Sequence, residues 1–287
     1  MDSQPAKSTS PLEGLAVNFH LTAACNYRCR FCFAHWPGGS QKLSKPEVFA
    51  LLRELFAAGA RKLTFAGGEP TLEPGLGQLI QFAKSVGFVT GIVSNGARFQ
   101  SALRDCAGDL DWAGLSLDSA SEQVQAQLGR GQGDHVRRTI ANVEACHAAR
   151  CRVKLNTVVT ALNWDEDLSA LIAQLRPQRW KVFQVLRVLG QNDGRVDDLL
   201  IERGQYRHFV ERHRHLEREG MALVAEDNEA MLDSYVMINP SGCFYGNSNG
   251  EYRQSRPILE LGVDKALDEV GFQRPKLEAR GGIYAWS

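Results

Sequence analysis

Two rhythms of apolar residues alternate along the chain. Short runs dense in β-branched and aromatic residues at 16–21, 62–65, 89–94, 112–117, 153–160 and 180–186 read as strands. Between them, apolar positions spaced three and four apart at 46–58, 76–86, 98–107, 135–149 and 166–175 read as helices. Six strands with five intervening helices predict a parallel sheet built from βαβ crossovers, either an open sheet or a partial barrel. A further helix at 205–219 and strands near Leu223 and Tyr235 predict a C-terminal extension with no linker before it. The expected organisation is a mobile tail over 1–14, a core over 15–190, and an extension over 191–287 that covers the active site.

Composition narrows the function. The chain has 287 residues, 44% of them hydrophobic, enough to bury a full core. Lys and Arg number 33 and so do Asp and Glu, so the formal net charge is zero, which excludes a broad nucleic-acid or anionic-membrane footprint. No run approaches the roughly 20 apolar residues of a membrane span, and the start is polar, so no membrane is expected and the cytoplasm is the expected compartment. Three of the seven cysteines crowd together, and in a reducing compartment such crowding points to metal or catalytic use before disulfides.

That crowding is C-N-Y-R-C-R-F-C, with Cys25, Cys29 and Cys32 directly after the first strand. Three thiolates at C-x3-C-x2-C spacing can wrap one corner of a cubic iron-sulfur cluster and leave one iron open to a ligand that is not protein. A zinc site completed by His20 or His35 is the competing reading, and no second C-x2-C pair supports it. The loop stands at the carboxyl end of a strand, where parallel α/β folds bind ligands.

Other strand ends carry compatible groups. A-G-G-E-P follows the second strand: Gly67 and Gly68 allow close approach of the backbone, and Glu69 can accept a hydrogen bond from an ammonium group. Ser94 ends the third strand and Ser116 the fourth; each could bond a ribose or carboxylate, or simply cap a helix. G-R-G-Q-G (129–133) lacks the G-K-[ST] ending of a phosphate loop, and its one charge, Arg130, suits a carboxylate. Strand parity adds a cationic set. Lys154 and Asn156 oppose Val153, Leu155 and Thr157; Arg179 and Lys181 oppose Trp180 and Val182; Lys62 opposes Leu63 and Phe65. In a barrel the apolar parity packs on the helices, so these cations point inward, and without carboxylate partners they call for a bound polyanion such as a di- or triphosphate.

The cysteine triplet is the pattern of the radical S-adenosylmethionine (SAM) superfamily, and G-G-E-P resembles its segment for the methionine amino group. N-F-H-L-T before the cysteines, G-R-G-Q-G, R-W-K-V-F-Q, D-S-Y (233–235) and the terminal G-G-I-Y-A-W-S resemble the viperin family more specifically, from about Leu15 to the end. The resemblance implies a partial (βα)6 radical SAM barrel with a C-terminal extension, holding a [4Fe-4S] cluster and SAM. It implies a lyase in which a 5′-deoxyadenosyl radical takes hydrogen from carbon 4′ of a ribonucleoside triphosphate. Loss of the 3′ hydroxyl as water then gives the 3′-deoxy-3′,4′-didehydro nucleotide, an antiviral chain terminator.

By motif position, Lys62, Lys154, Arg179 and Lys181 would hold the triphosphate, Asn18 and Asn156 would lie near the ribose, and Glu69, Ser116 and Arg130 would contact SAM. Tyr235 matches a tyrosine placed beside the ribose, where a phenol can deliver a hydrogen atom or a proton. An electron donor such as flavodoxin or ferredoxin is implied as partner. The amphipathic membrane helix of animal members is not carried over to a start reading M-D-S-Q-P-A-K-S-T-S. Members also continue past W-S with a short acidic, aromatic tail that closes over the base, so base preference is not carried over either. The alternative function is radical SAM chemistry on a peptide or cofactor precursor, against which stands the lack of a second cysteine cluster; a binding module without catalysis is the third reading.

Overall fold

Every strand expected from the pattern is present in the computed structural model, which describes residues 10–36, 41–106 and 108–286. They are β1 (Ala16–His20), β2 (Lys62–Ala66), β3 (Val89–Ser94), β4 (Trp112–Ser116), β5 (Arg152–Val159) and β6 (Arg179–Gln184). The helices between them are α1 (Lys45–Ala57), α2 (Leu76–Val86), α3 (Phe99–Asp105), α4 (Glu122–Gln127), α5 (His135–Ala148) and α6 (Ser169–Leu175). α4 was not expected. α6 starts three residues later than the pattern suggests, because Glu166 is drawn away to accept the Ala120 N–H at 2.8 Å and Asp167 takes the Ser169 N–H at 2.8 Å.

The C-terminal part does not form a separate layer. β7 (Ala222–Glu226) pairs parallel with β6, and β8 (Val236–Ile238) pairs parallel with β1. β9 (Cys243–Gly246) and β10 (Arg253–Pro257) then run antiparallel beyond β8, giving one sheet of order β10-β9-β8-β1-β2-β3-β4-β5-β6-β7. The sheet curls. Lys181 on β6 and Tyr235, just before β8, stand far apart in that order, yet the ammonium donates to the phenol oxygen at 2.6 Å. The result is a barrel left open between β7 and the β8–β10 edge.

Packing follows the parity argument. Val153, Leu155 and Thr157 are fully buried on the outer face, while Lys154 and Asn156 are half-buried and line the interior. Trp180 is sealed under α7 (Arg203–His213), edge-on to His213 at 5.1 Å and Phe209 at 6.1 Å. The core begins before Leu15: Leu12 is fully buried and its N–H bonds the Ala58 carbonyl at 3.2 Å. The remainder of the expected tail, residues 1–9, and Ser287 lie outside the described residues. No helix among the described residues is long and apolar enough to cross a membrane.

Candidate active site

A cavity of about 680 Å³ fills the barrel. At one end its wall is the loop after β1, which carries Cys25, Cys29 and Cys32, all free and half-buried. Two other loops clamp this one. Gly68 donates its N–H to Thr22 O at 2.6 Å and Glu69 to Ala24 O at 2.8 Å; a Cβ on Gly68 would overlap the Ala24 carbonyl. Gly129 accepts the Arg28 N–H at 3.2 Å, and a Cβ there would overlap the Arg28 carbonyl. The glycines of both motifs therefore make room first for the cysteine loop, where Gly67 and Gly68 were expected to allow close approach to a ligand. Gly67 and Gly68 also line the cavity.

The thiols suit a cluster better than a single ion. Zinc draws its ligand atoms to about 2.0–2.3 Å of one point, and no three His, Cys, Asp or Glu side chains among the described residues converge in that way. A cubane takes each thiolate on a different iron, so the sulfurs need only share a wall. His20 is already engaged with the Tyr245 hydroxyl at 2.9 Å and burial lowers its pKa to about 4, while His35 is exposed. Burial pushes the Cys29 thiol up to about 12, so metal charge is required to hold it as thiolate.

Around the cysteines, polar side chains are ordered by their neighbours. Glu69 is fully buried and does not line the cavity. Its carboxylate accepts Thr71 N–H at 3.1 Å, Thr71 Oγ1–H at 2.6 Å, Ser94 Oγ–H at 2.8 Å and Asn95 N–H at 2.7 Å. Four protein donors thus hold the Glu69 carboxylate, for which an ammonium partner was expected, and two of them belong to Ser94 and Asn95, which line the cavity. Asn95, next to Ser94 in the loop after β3, turns its amide to Asn26 Oδ1 at 2.8 Å and Cys25 Sγ at 3.7 Å. Arg130 finds its carboxylate within the protein, in a buried ion pair with Asp118, and still lines the cavity with Phe31 5.2 Å from its guanidinium. Ser116 lines the same space, its backbone carbonyl held by His135 Nε2 at 2.8 Å.

At the other end stand the cations. Lys154 lines the cavity and has no hydrogen-bond or ion-pair partner among the described residues; burial, with Arg179 beside it, lowers its pKa to about 8. Beside it, Asn156 Oδ1 is buried without a donor, and Asn18 faces it from β1. Lys181 corrects the expectation of cations without carboxylates: Glu226, the last residue of β7, lies 2.5 Å away and also binds Arg280 at 2.9 Å. This partner escaped notice because β7 was placed in the extension, outside the barrel. Tyr235 lines the cavity here, its phenol between Lys181 and Glu226, with the Arg280 guanidinium 3.8 Å from its ring centre.

Lys62 and Arg179 do not line the cavity. Both are buried at the amino ends of their strands under the C-terminal segment 281–286, where Lys62 donates to the Tyr284 hydroxyl at 3.0 Å and Arg179 stacks 3.9 Å from that ring centre. Trp112 at 4.4 Å completes the cage around Lys62, and the Arg179 guanidinium donates to Gly281 O at 2.8 Å. Arg179 Nε is left buried without an acceptor. Tyr284, Glu226 and Arg280 are the site residues that sequence reasoning passed over. The signals were present: an acid, Glu226, closing the apolar run A-L-V-A, and an Arg directly before G-G-I-Y-A-W.

Comparison with known proteins adds independent findings. A family model described as the Radical SAM superfamily matches residues 19–173. A protein of Flammeovirga pacifica named S-adenosylmethionine-dependent nucleotide dehydratase is 40% identical over 283 residues, covering 94% of this chain and 96% of its own length. A rainbow trout (Oncorhynchus mykiss) protein of the same name, RSAD2, is 35% identical, covering 95% of this chain and 80% of its own. Among solved structures, anSMEcpe with AdoMet and a peptide is similar with a TM-score of 0.71, at 14% identity, over 93% of this chain and 83% of that one. SuiB of Streptococcus suis bound to SAM gives 0.67, at 16% identity, over 94% and 68%. At such identities the two structures share the fold alone with this chain.

Proposed function

We propose, for a chain that belongs to the radical SAM superfamily and within it to the S-adenosylmethionine-dependent nucleotide dehydratases, that the substrate is a ribonucleoside triphosphate and the product its 3′-deoxy-3′,4′-didehydro analogue. The observation that carries this reading is the polarity of one cavity, with three cysteines at one end and Lys154, without a partner among the described residues, beside Lys181 at the other. A nucleotide laid along it directs its phosphates to the cations and its ribose towards the cysteines.

Cys25, Cys29 and Cys32 would hold the [4Fe-4S] cluster, and Gly67, Gly68, Ser94, Asn95, Ser116 and Arg130 would line the SAM site next to it. When bound, these groups supply the carbon radical that removes one hydrogen atom from carbon 4′. The chain's own residues do the rest. Lys154 and Lys181 neutralise phosphate oxygens that would otherwise be buried without counter-charge. Arg179, under the Tyr284 ring, places further positive charge behind them, with Lys62 packed against the same ring. Asn156 Oδ1 offers an acceptor and the Asn18 amide N–H a donor to ribose hydroxyls.

After hydrogen abstraction, the 3′ hydroxyl departs with one proton as water, and one electron closes the shell of the sugar. Tyr235 is the proton source best placed for that exit, since Lys181 can restore its proton across 2.6 Å. The electron comes from a one-electron donor of the flavodoxin or ferredoxin class. The test is to incubate cluster-loaded protein with SAM, reductant and each ribonucleoside triphosphate in turn. The reading expects a product lighter by one water from at least one of them, and none from the corresponding nucleoside.

A further inference from the structure

Glu226 is fully buried directly behind Lys181 and Tyr235, which line the cavity that the reading above assigns to a polyanion. A carboxylate there repels phosphate, so its presence needs a reason. One oxygen binds Lys181 at 2.5 Å and Arg280 at 2.9 Å, and the other accepts the Tyr235 phenol proton. Lys154 on β5, Arg179 on β6, Tyr206 on α7, Arg280 after the short helix Arg274–Ala279, Tyr235 and Tyr284 are the other charged or titratable groups facing this pair. All the nearby cations disfavour a charge on Lys181, and Glu226 alone among these groups is an acid at neutral pH. Burial lowers the Lys181 pKa to about 7 even with Glu226 opposing it. An ammonium enclosed this way without a carboxylate would shed its proton and lose its attraction for phosphate.

We propose that Glu226 is a positioning residue for substrate: its carboxylate keeps the Lys181 ammonium charged and in place at the cavity wall, and pins the Tyr235 phenol beside it, so that both are set before a polyphosphate arrives. The inference rests on the triphosphate reading. It has a consequence of two signs. Where Lys181 is charged regardless, Glu226 only repels the ligand; where Lys181 is near losing its proton, Glu226 is what retains the attraction.

Inorganic tripolyphosphate, titrated calorimetrically into the cluster-loaded, SAM-bound protein, separates these effects at about pH 6 and about pH 8.5, either side of the Lys181 value of about 7. Comparing variant with wild type at each pH cancels the titration of the probe itself. Glu226→Gln is expected to bind equally well or more tightly at the lower pH and roughly 3- to 10-fold more weakly at the higher one, a pKa change of about half to one unit. Glu226→Asp, which keeps the charge, should follow the wild-type slope. Lys181→Arg stays charged throughout and should flatten the slope whether or not Glu226 is present, which keeps the test alive if Glu226→Gln alone folds poorly. A loss of equal factor at both pH values, or a Lys181→Arg slope like that of wild type, overturns the role given to Glu226. Failure of wild-type protein to bind tripolyphosphate at either pH overturns the triphosphate reading, and this inference with it.

Discussion

Gly129 lies flat against the backbone of Arg28: its carbonyl accepts the Arg28 N–H at 3.2 Å, its φ is +83°, and a Cβ on it would meet the Arg28 carbonyl oxygen. The cysteine loop has almost no regular structure of its own, so this contact and the matching one from Gly68 fix its path. Gly129→Ala adds both a clash and a strained φ, at a cost of roughly 1–3 kcal/mol concentrated on that loop. The expected outcome is a protein with wild-type far-ultraviolet circular dichroism that retains well under half the iron after reconstitution. Wild-type iron content would show that the loop holds its cluster without the clamp.

Lys154→Ala should leave iron content and SAM binding unchanged and weaken triphosphate binding about 10- to 100-fold. That range corresponds to one charge-assisted contact of about 1.5–3 kcal/mol. Competition binding with nucleoside, monophosphate and triphosphate checks it, because the variant should lose discrimination among the three. Undiminished preference for triphosphate would place the phosphates elsewhere.

The buried ammonium groups make a prediction about stability. Burial lowers Lys62 to about 6, Lys181 to about 7 and Lys154 to about 8, from an ordinary value of 10.5. Between those values and 10.5 the unfolded chain binds more protons than the folded one, so stability rises with pH through that window. The raised Cys29 thiol acts in the opposite direction only above its ordinary value of 9. The melting temperature of nucleotide-free protein should therefore climb between about pH 6 and about pH 8.5, and saturating tripolyphosphate should stabilise most at the acidic end. A melting temperature that falls over this range contradicts the buried-cation account.

Tyr235→Phe keeps the ring under Arg280 and removes the hydroxyl between Lys181 and Glu226. The variant should fold, load its cluster and cleave SAM, yet form several-fold less didehydro nucleotide per 5′-deoxyadenosine. Quantifying both products by liquid chromatography in one reaction decides the matter. An unchanged ratio would reduce Tyr235 to a packing residue.

The sheet from β1 to β6 was legible because each strand is a short run dense in β-branched and aromatic residues, and the inward set Lys154, Asn156 and Lys181 could be read from its parity against Val153 and Leu155 on β5 and Trp180 and Val182 on β6. The cysteine loop was legible from spacing alone. Local sequence did not reveal contacts between segments distant in the chain. Asp118 meets Arg130, Glu226 meets Lys181, and Tyr284 covers Lys62 and Arg179, each across a separation that no periodicity reports. The donors to Glu69 were hidden in the same way: its chemistry suits an ammonium, and nothing local in the sequence shows that Ser94 and Asn95, from the next strand end, donate to its oxygens.

The central claim is that this chain directs radical chemistry at carbon 4′ of a nucleotide ribose. A ribonucleoside triphosphate carrying deuterium at carbon 4′ alone, incubated with cluster-loaded protein, SAM and reductant, tests it by mass spectrometry of the 5′-deoxyadenosine formed. The account predicts one deuterium transferred to 5′-deoxyadenosine, with a didehydro nucleotide that has lost the label. Unlabelled 5′-deoxyadenosine beside nucleotide still deuterated at carbon 4′ would contradict it.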